Sequence, residues 1–177
     1  MKKTIMLIAA IVMMASYTTT VMAQATVTGT TAGAVIITPI TLTQVTPLHF
    51  GVMSVLAGTP GTCVLTTLGV RSATGGVNLS AQAPVATNAA YTVGGQASTT
   101  YAIVLPATIT VTKAVTLETM TIGTLHAHTT SAGVDGLTGT LSGGGADDFT
   151  VGGILSVAAA QVAGTYAGTF DVTVAYN

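Results

Sequence analysis

Apolar and polar residues alternate one by one along the last segment of the chain, "GTYAGTFDVTVAYN", residues 164–177. The larger apolar residues, Tyr166, Phe170, Val172, Val174 and Tyr176, lie at even positions, and the polar residues, Thr165, Thr169, Asp171, Thr173 and Asn177, lie at odd ones. Successive side chains of a strand point to opposite faces, so the pattern predicts a β-strand with one buried side. Two other alternating rows, 48–52 and 101–105, could supply the opposing layer.

Shorter alternating runs fill most of the remaining sequence, and glycine- or proline-containing turn signals separate them. The candidate strands are Val35–Leu42, Leu48–Val52, Thr62–Leu68, Gly76–Ala81, Ala90–Val93, Thr100–Leu105, Thr108–Thr112, Val115–Leu125, Phe149–Val157 and Tyr166–Tyr176. Many short strands at this spacing are typical of a sandwich or a barrel. The sequence therefore predicts an all-β domain, with threonine and other β-branched residues favouring strands.

Two of these runs resemble each other. "YTVGG" at 91–95 and "FTVGG" at 149–153 both place an aromatic residue and a valine on one face before a glycine pair. Glycine pairs in strands often mark a turn or a bulge. Two copies are too few for a repeat architecture, so we interpret them as similar strand ends in one sheet structure.

The N-terminus has the pattern of a secretory signal peptide. Lys2 and Lys3 precede an apolar run, and small residues around Ala23 suit a signal peptidase. The run is shorter than a membrane span requires, and three threonines, residues 18–20, follow soon after it. We expect residues 1–23 to be removed and 24–177 to form one domain that carries no stable membrane span.

Charge is sparse in the expected mature chain. It keeps two cations, Arg71 and Lys113, against five acidic residues. Without a basic patch, nucleic-acid binding is excluded as a function class. Its single cysteine, Cys63, excludes an intrachain disulfide and lies in an apolar run, so we expect a small buried hydrophobic residue.

Residues with reactive side chains form few promising patterns. His126 and His128 would share one strand face, but a zinc site needs three or four ligands, so structural or exposed histidines are expected. Asp147 and Asp148 follow a glycine run and suggest a solvent-exposed turn, and in a strand they would face opposite ways. Neither a nucleophile elbow nor a phosphate loop is present. We predict no enzymatic activity and no catalytic, cofactor-binding or metal-ligating residues.

A family resemblance covers much of the chain. "FTVGGILSVAAAQVAGTYAGTFDVTVAYN" (149–177), "PLHFGVM" (47–53) and "GVRSATGGVNLS" (69–80) resemble the bacterial family known as domain of unknown function 4402. The ending is also similar to archaic chaperone–usher pilins and spore-coat U subunits. That similarity implies an immunoglobulin-like antiparallel β-sandwich, left incomplete until a neighbour's N-terminal strand is added. It also implies pilin-like subunits, or copies of the same chain, and a periplasmic chaperone as partners.

The chain contains a candidate donor of such a strand. Residues 24–44 are uncharged and extended in character, and their apolar part is Ala34–Leu42. They could add to an open sheet edge of another molecule. Alternatively, they could be the first strand of the same complete domain. We expect the β-sandwich domain itself at residues 45–177.

The sequence favours an exported, non-enzymatic structural or adhesive surface subunit, as in a fimbrium, located in the periplasm, at the cell surface or outside the cell. Two alternatives stay open. A small outer-membrane β-barrel suits the alternating strands, although aromatic girdles are missing. A soluble secreted module that binds carbohydrate or another ligand is the other.

Overall fold

The computed structural model describes residues 25–177. The described residues divide into two units, residues 25–36 and residues 37–177. In the first unit, residues 25–36 contain no helix or strand and are exposed. Val35 and Ile36 are 90% and 97% exposed, so an apolar segment is open to solvent. The expected signal peptide, residues 1–23, lies outside the described residues.

The second unit consists of antiparallel strands joined by turns. The strands are β1 (Thr41–Thr46), β2 (Met53–Val55), β3 (Gly61–Leu65), β4 (Arg71–Gly75), β5 (Val77–Leu79), β6 (Ala89–Gly94), β7 (Thr100–Val104), β8 (Thr108–Lys113), β9 (Thr119–Thr129), β10 (Val134–Asp135), β11 (Thr138–Thr140), β12 (Ala146–Val157), β13 (Tyr166–Ala167) and β14 (Thr173–Tyr176). The predicted all-β class is confirmed. Within residues 25–177, no helix is long and apolar enough to span a membrane.

The largest sheet is strongly curled and has the order β1-β6-β12-β9-β8-β13. Strand β12 is the central strand of this sheet. On one edge, the first half of β12 pairs with β6 and the second half with β3, while β9 pairs along the other edge. Gly152 and Gly153 lie where β12 changes neighbours. A Cβ atom on Gly152 would lie 2.4 Å from the Leu65 carbonyl oxygen, so this close approach requires glycine.

Two small sheets complete the unit, with orders β11-β7-β14 and β2-β5. The three-stranded sheet contributes Tyr101 and Ile103 to a core whose curled-sheet side includes Tyr91, Val93 and Phe149. A second core lies towards the other end of β12 and contains Phe50, Cys63, Leu65, Val77, Ile109, Ile122, Leu155 and Val157. An immunoglobulin-like strand order stays a prediction.

The closing segment follows its predicted alternation but is not one continuous strand. The five even-numbered residues are half-buried, and the odd-numbered ones are exposed. However, β13 pairs with β8 of the curled sheet, and β14 pairs with β7 of the three-stranded sheet. The chain leaves one sheet for another between Ala167 and Thr173, and this transfer breaks the strand.

The two similar "TVGG" runs are neighbours in space. Phe149 is the cross-strand partner of Tyr91, and their rings stack with centroids 5.0 Å apart. The two runs therefore belong to one sheet, as interpreted, but only the first is a strand end, because residues 149–153 lie inside β12. Aromatic cross-strand pairs stabilise sheets beyond the area that they bury.

Other boundaries differ from the sequence prediction. The first strand begins at Thr41, so residues 35–40 of the predicted Val35–Leu42 strand lie outside it. Strand β4 was not predicted, because its sequence, RSATG, contains no large apolar residue. Its pairing with β3 holds it in the sheet instead.

Candidate functional site

A groove of about 670 Å³ with a mainly apolar lining lies in the second unit. Residues 48–55 form one wall and residues 161–168 form the other. The floor consists of side chains from three neighbouring strands of the curled sheet, namely Ile109, Val111, Met120, Ile122, Leu155 and Val157. Phe50 and Phe170 also line it. These residues belong to, or pack against, the second core, so the groove opens directly onto that core.

The first wall offers an unpaired strand edge. Strand β2 pairs only with β5 among the described residues. The N–H of Ser80 donates to the Val52 carbonyl, and the N–H of Leu56 donates to the Gly76 carbonyl. Main-chain groups alternate in direction along a strand. The peptide groups of Met53 and Val55 are therefore directed away from β5.

The half-buried Arg71 fixes the beginning of this wall. Its Nη1 donates to the carbonyls of Phe50 (2.8 Å) and Val52 (3.1 Å), and its Nη2 donates to the carbonyl of Ser80 (2.5 Å). Gly51 has φ +75°, and a Cβ there would lie 2.3 Å from Nη1. Glycine is therefore needed for the guanidinium to approach this close.

The second wall also ends in an unpaired edge. Strand β13 pairs with β8 on one side and is the last strand of the curled sheet among the described residues. The loop before β13 is held by Tyr166, whose hydroxyl donates to the Val162 carbonyl (2.7 Å) and accepts from Nε2 of Gln161 (2.8 Å). The groove is thus an apolar trough between two strand edges.

A smaller concavity of about 460 Å³ lies beside Asp147, near the first core. Asp147 is only 8% exposed, so the sequence-based expectation of a turn in solvent is wrong for this residue. Its carboxylate accepts from the Tyr101 hydroxyl (2.9 Å), the N–H (3.1 Å) and Oγ (2.5 Å) of Ser131, and the N–H of Asp148 (2.9 Å). These donors satisfy the carboxylate, which makes Asp147 a structural residue.

The two histidines of β9 have different surroundings. Nδ1 of His128 lies 3.1 Å from Oδ1 of Asp135, an oxygen that also accepts from the Thr67 hydroxyl (2.9 Å). His126, two residues earlier on β9, is exposed. Across residues 25–177, no three histidine, cysteine or acidic side chains come together in a way that could hold a metal ion.

Cys63 is a fully buried free thiol in the second core, as the apolar run around it predicted. Burial raises the pKa of this thiol, and the nearby charge of Arg71 opposes that shift. A buried thiol of raised pKa is a poor nucleophile, so packing is its role.

Sequence reasoning missed the groove and the role of Arg71. The groove walls come from residues more than 100 positions apart, and no local period reports such a meeting. One signal was available: Arg71 is an isolated cation in a segment with almost no charge, and such a residue needs partners that the sequence does not display.

These features define an all-β antiparallel domain built around an apolar groove. Residues 40–176 match the family described as domain of unknown function (DUF4402), and the chain belongs to that family. The match contains every strand from β1 to β14 and both groove walls. Among curated proteins, none matches the chain.

Proposed function

We propose that the protein is an exported, non-enzymatic structural subunit of a cell-surface assembly, in which an extended segment of a neighbouring molecule fills the apolar groove. One observation carries the proposal: the groove lies between two strand edges, β2 and β13, that have no strand partner on the groove side among the described residues. An added strand would satisfy these edges and cover the floor.

The chain itself carries a segment of suitable chemistry, which we call the arm, residues 25–40. It contains no charged residue, and Val27, Val35 and Ile36 are 79–97% exposed. Such residues gain free energy when they leave water, at about 25 cal/mol for each Å² of apolar surface buried. An uncharged arm also suits an apolar floor, because burying an unpaired charge there would be costly.

For the apolar stretch at residues 35–37, chain length favours donation to another molecule. The N–H of Thr38 donates to Oε1 of Gln96, and the Thr38 carbonyl accepts from the Tyr176 hydroxyl. Gln96 lies just beyond the end of β6 that pairs with Ala146. Leu155 of the groove floor is nine residues further along β12 than Ala146, so the two residues are roughly 30 Å apart at 3.3 Å per residue. Residues 35–37 have only about 10 Å of reach from Thr38.

An incomplete immunoglobulin-like sandwich, completed by a neighbour as in archaic chaperone–usher pilins and spore-coat U subunits, would account for this groove. The same account implies that a periplasmic chaperone covers the groove before assembly. Secretion across the inner membrane to the periplasm or cell surface follows from the signal-peptide pattern in residues 1–23.

The test compares arm variants of the full chain after export. Ile36→Asp places a charge in the apolar stretch, and Thr30→Asp is the matched control in the polar part of the same arm. We expect multimers of wild type and of Thr30→Asp by size-exclusion chromatography with light scattering, and fibres by electron microscopy, whereas Ile36→Asp stays monomeric. A monomeric wild type, or assembly of all three proteins alike, would refute strand donation.

A second candidate function is binding of a small apolar ligand. It is favoured by the groove volume, which lies within the usual range of ligand pockets. An environment-sensitive apolar dye separates the two functions. If the groove takes a ligand, a monomeric wild type binds the dye. If it takes a strand, assembled wild type excludes the dye and monomeric Ile36→Asp binds it.

A further inference from the structure

We propose that Arg71 is the positioning residue of the groove: its guanidinium orients residues 50–55 so that the peptide groups of Met53 and Val55 become the docking edge for an added strand. This inference rests on the proposed function. Arg71 does not line the groove, and it would act by holding the main chain of the groove wall in position.

The position of Arg71 requires a reason, because its charge is not paired with a carboxylate. The ion pairs among residues 25–177 are Lys113–Glu118 and His128–Asp135. Arg71 instead donates to the carbonyls of Phe50, Val52 and Ser80. A planar guanidinium has five N–H groups in a fixed fork, so one side chain can hold several carbonyls at once.

These hydrogen bonds determine which main-chain groups remain for a partner. The carbonyls of Phe50 and Val52 accept from Arg71, and the Val52 carbonyl also accepts from the N–H of Ser80, beside β5. Within β2, the pairing with β5 leaves the peptide groups of Met53 and Val55 directed away from β5. The Gly51 N–H is already bound to Nδ1 of His49 (2.8 Å). The N–H groups of Met53 and Val55 are therefore the donors that this wall presents to an added strand.

Lysine is not an equivalent residue at this position. Its ammonium group is a single point donor and cannot span the carbonyls of residues on both sides of Gly51 and that of Ser80 together. Arg71→Lys keeps the charge and most of the aliphatic stem. It therefore weakens the hydrogen bonds to the wall carbonyls with the least disturbance of the fold. It is the informative variant.

The control is Thr74→Val, three residues further along β4. It removes the 2.7 Å hydroxyl–hydroxyl contact with Thr62 and leaves residues 50–55 untouched. All variants are made in the full chain and purified after export. Melting curves followed by circular dichroism give the folded fraction of each protein, and assembly is compared at equal folded fraction.

The specific measurement is the hydrogen-exchange protection of the Met53 and Val55 amides, read by mass spectrometry on peptides that resolve them. It is repeated over a series of protein concentrations. In wild type and Thr74→Val, these amides become protected as the protein assembles. In Arg71→Lys, we expect assembly to require about tenfold more protein, and the two amides to stay unprotected at concentrations where wild type is assembled.

The two proposals fail differently. If wild type assembles with protection at Met53 and Val55 and Arg71→Lys behaves identically, Arg71 has no positioning role, and strand addition stands. The positioning role is equally overturned if Thr74→Val weakens assembly as much as Arg71→Lys, because the loss is then a general effect of weakening β4. If wild type never assembles, both proposals fall together.

Discussion

The hydroxyl of Tyr101 donates to Oδ2 of Asp147 across 2.9 Å inside the first core. Tyr101 is fully buried on β7 of the three-stranded sheet, and Asp147 belongs to β12 of the curled sheet. Ser131 donates to the same carboxylate from the turn after β9. One buried carboxylate thus links the two sheets by polar contacts within an otherwise apolar core.

Replacing Tyr101 with phenylalanine should lower the free energy of unfolding by ~1–3 kcal/mol, because the largely buried carboxylate of Asp147 loses a hydrogen-bond donor. Urea denaturation measures the change. The control is Tyr166→Phe, which removes a hydroxyl near the surface from its bond to the Val162 carbonyl, and should cost about 1 kcal/mol or less. Equal losses in the two variants would contradict the structural role of the Tyr101–Asp147 bond.

The same pair predicts a loss of stability at alkaline pH. Burial, followed by the hydrogen bond to Asp147 and the charges of Asp147 and Asp148, raises the pKa of the Tyr101 phenol above its usual range. A pKa raised by folding stabilises the protein below the unfolded value, about 10, and this stabilisation is lost as the pH rises through the folded pKa.

Urea midpoints measured between pH 8 and pH 11 test this sign. Wild type should lose stability steeply above about pH 10, and Tyr101→Phe should lose less. Burial also raises the pKa values of Tyr91 and Cys63, so part of the slope remains in the variant. Identical slopes in the two proteins would show that Tyr101 contributes nothing to it.

Glycine at position 152 should be essential for the packing of β12 against β3. An alanine Cβ there would lie 2.4–2.7 Å from main-chain atoms of Leu65, Thr66 and Thr67, and main chain cannot move aside cheaply. We expect Gly152→Ala to lower the free energy of unfolding by ~3 kcal/mol. Thermal melting followed by circular dichroism measures it.

Gly143→Ala is the matched control for this substitution, because a Cβ on Gly143 meets no atom within 4 Å. Its effect should stay within about 0.5 kcal/mol. Equal melting temperatures of the Gly152→Ala and Gly143→Ala proteins would contradict the tight contact between β12 and β3.

The folded protein should resist trypsin strongly after removal of residues 1–23. Only Arg71 and Lys113 then remain as cleavage sites. Arg71 is held by three carbonyls, and the Lys113 side chain is 18% exposed and lies 4.0 Å from Glu118. Both residues lie in paired strands, which a protease cannot bind without local unfolding.

Digestion with and without urea, followed on gels, tests this prediction. Native protein should remain intact for hours and should be cut at both sites once urea unfolds it. Rapid cleavage at Lys113 in the native protein would show that the β8–β9 turn opens on its own, and cleavage at Arg71 would show the same of β4.

Local patterns in the sequence were sufficient for several features. The alternation of 166–176 identified its half-buried face, the run around Cys63 identified a buried thiol, and the "TVGG" copies identified related strands. Each depends on residues within a few positions of one another, where side-chain direction follows directly from strand geometry.

Features that depend on distant pairing could not be predicted. β4 has no apolar pattern of its own, the strand break after Ala167 exists because β8 and β7 belong to different sheets, and Asp147 is buried because Tyr101 and Ser131 arrive beside it. The groove walls likewise meet only in the folded chain.

The sequence by itself determined an all-β domain with few charges, its alternating faces and an uncharged N-terminal arm, since composition and the two-residue period act locally along the chain. Only the tertiary structure decided which strand edges are left unpaired and which carbonyls surround Arg71. Hydrogen bonding between strands is non-local, and the alternation of a strand states which face is buried without stating what covers it.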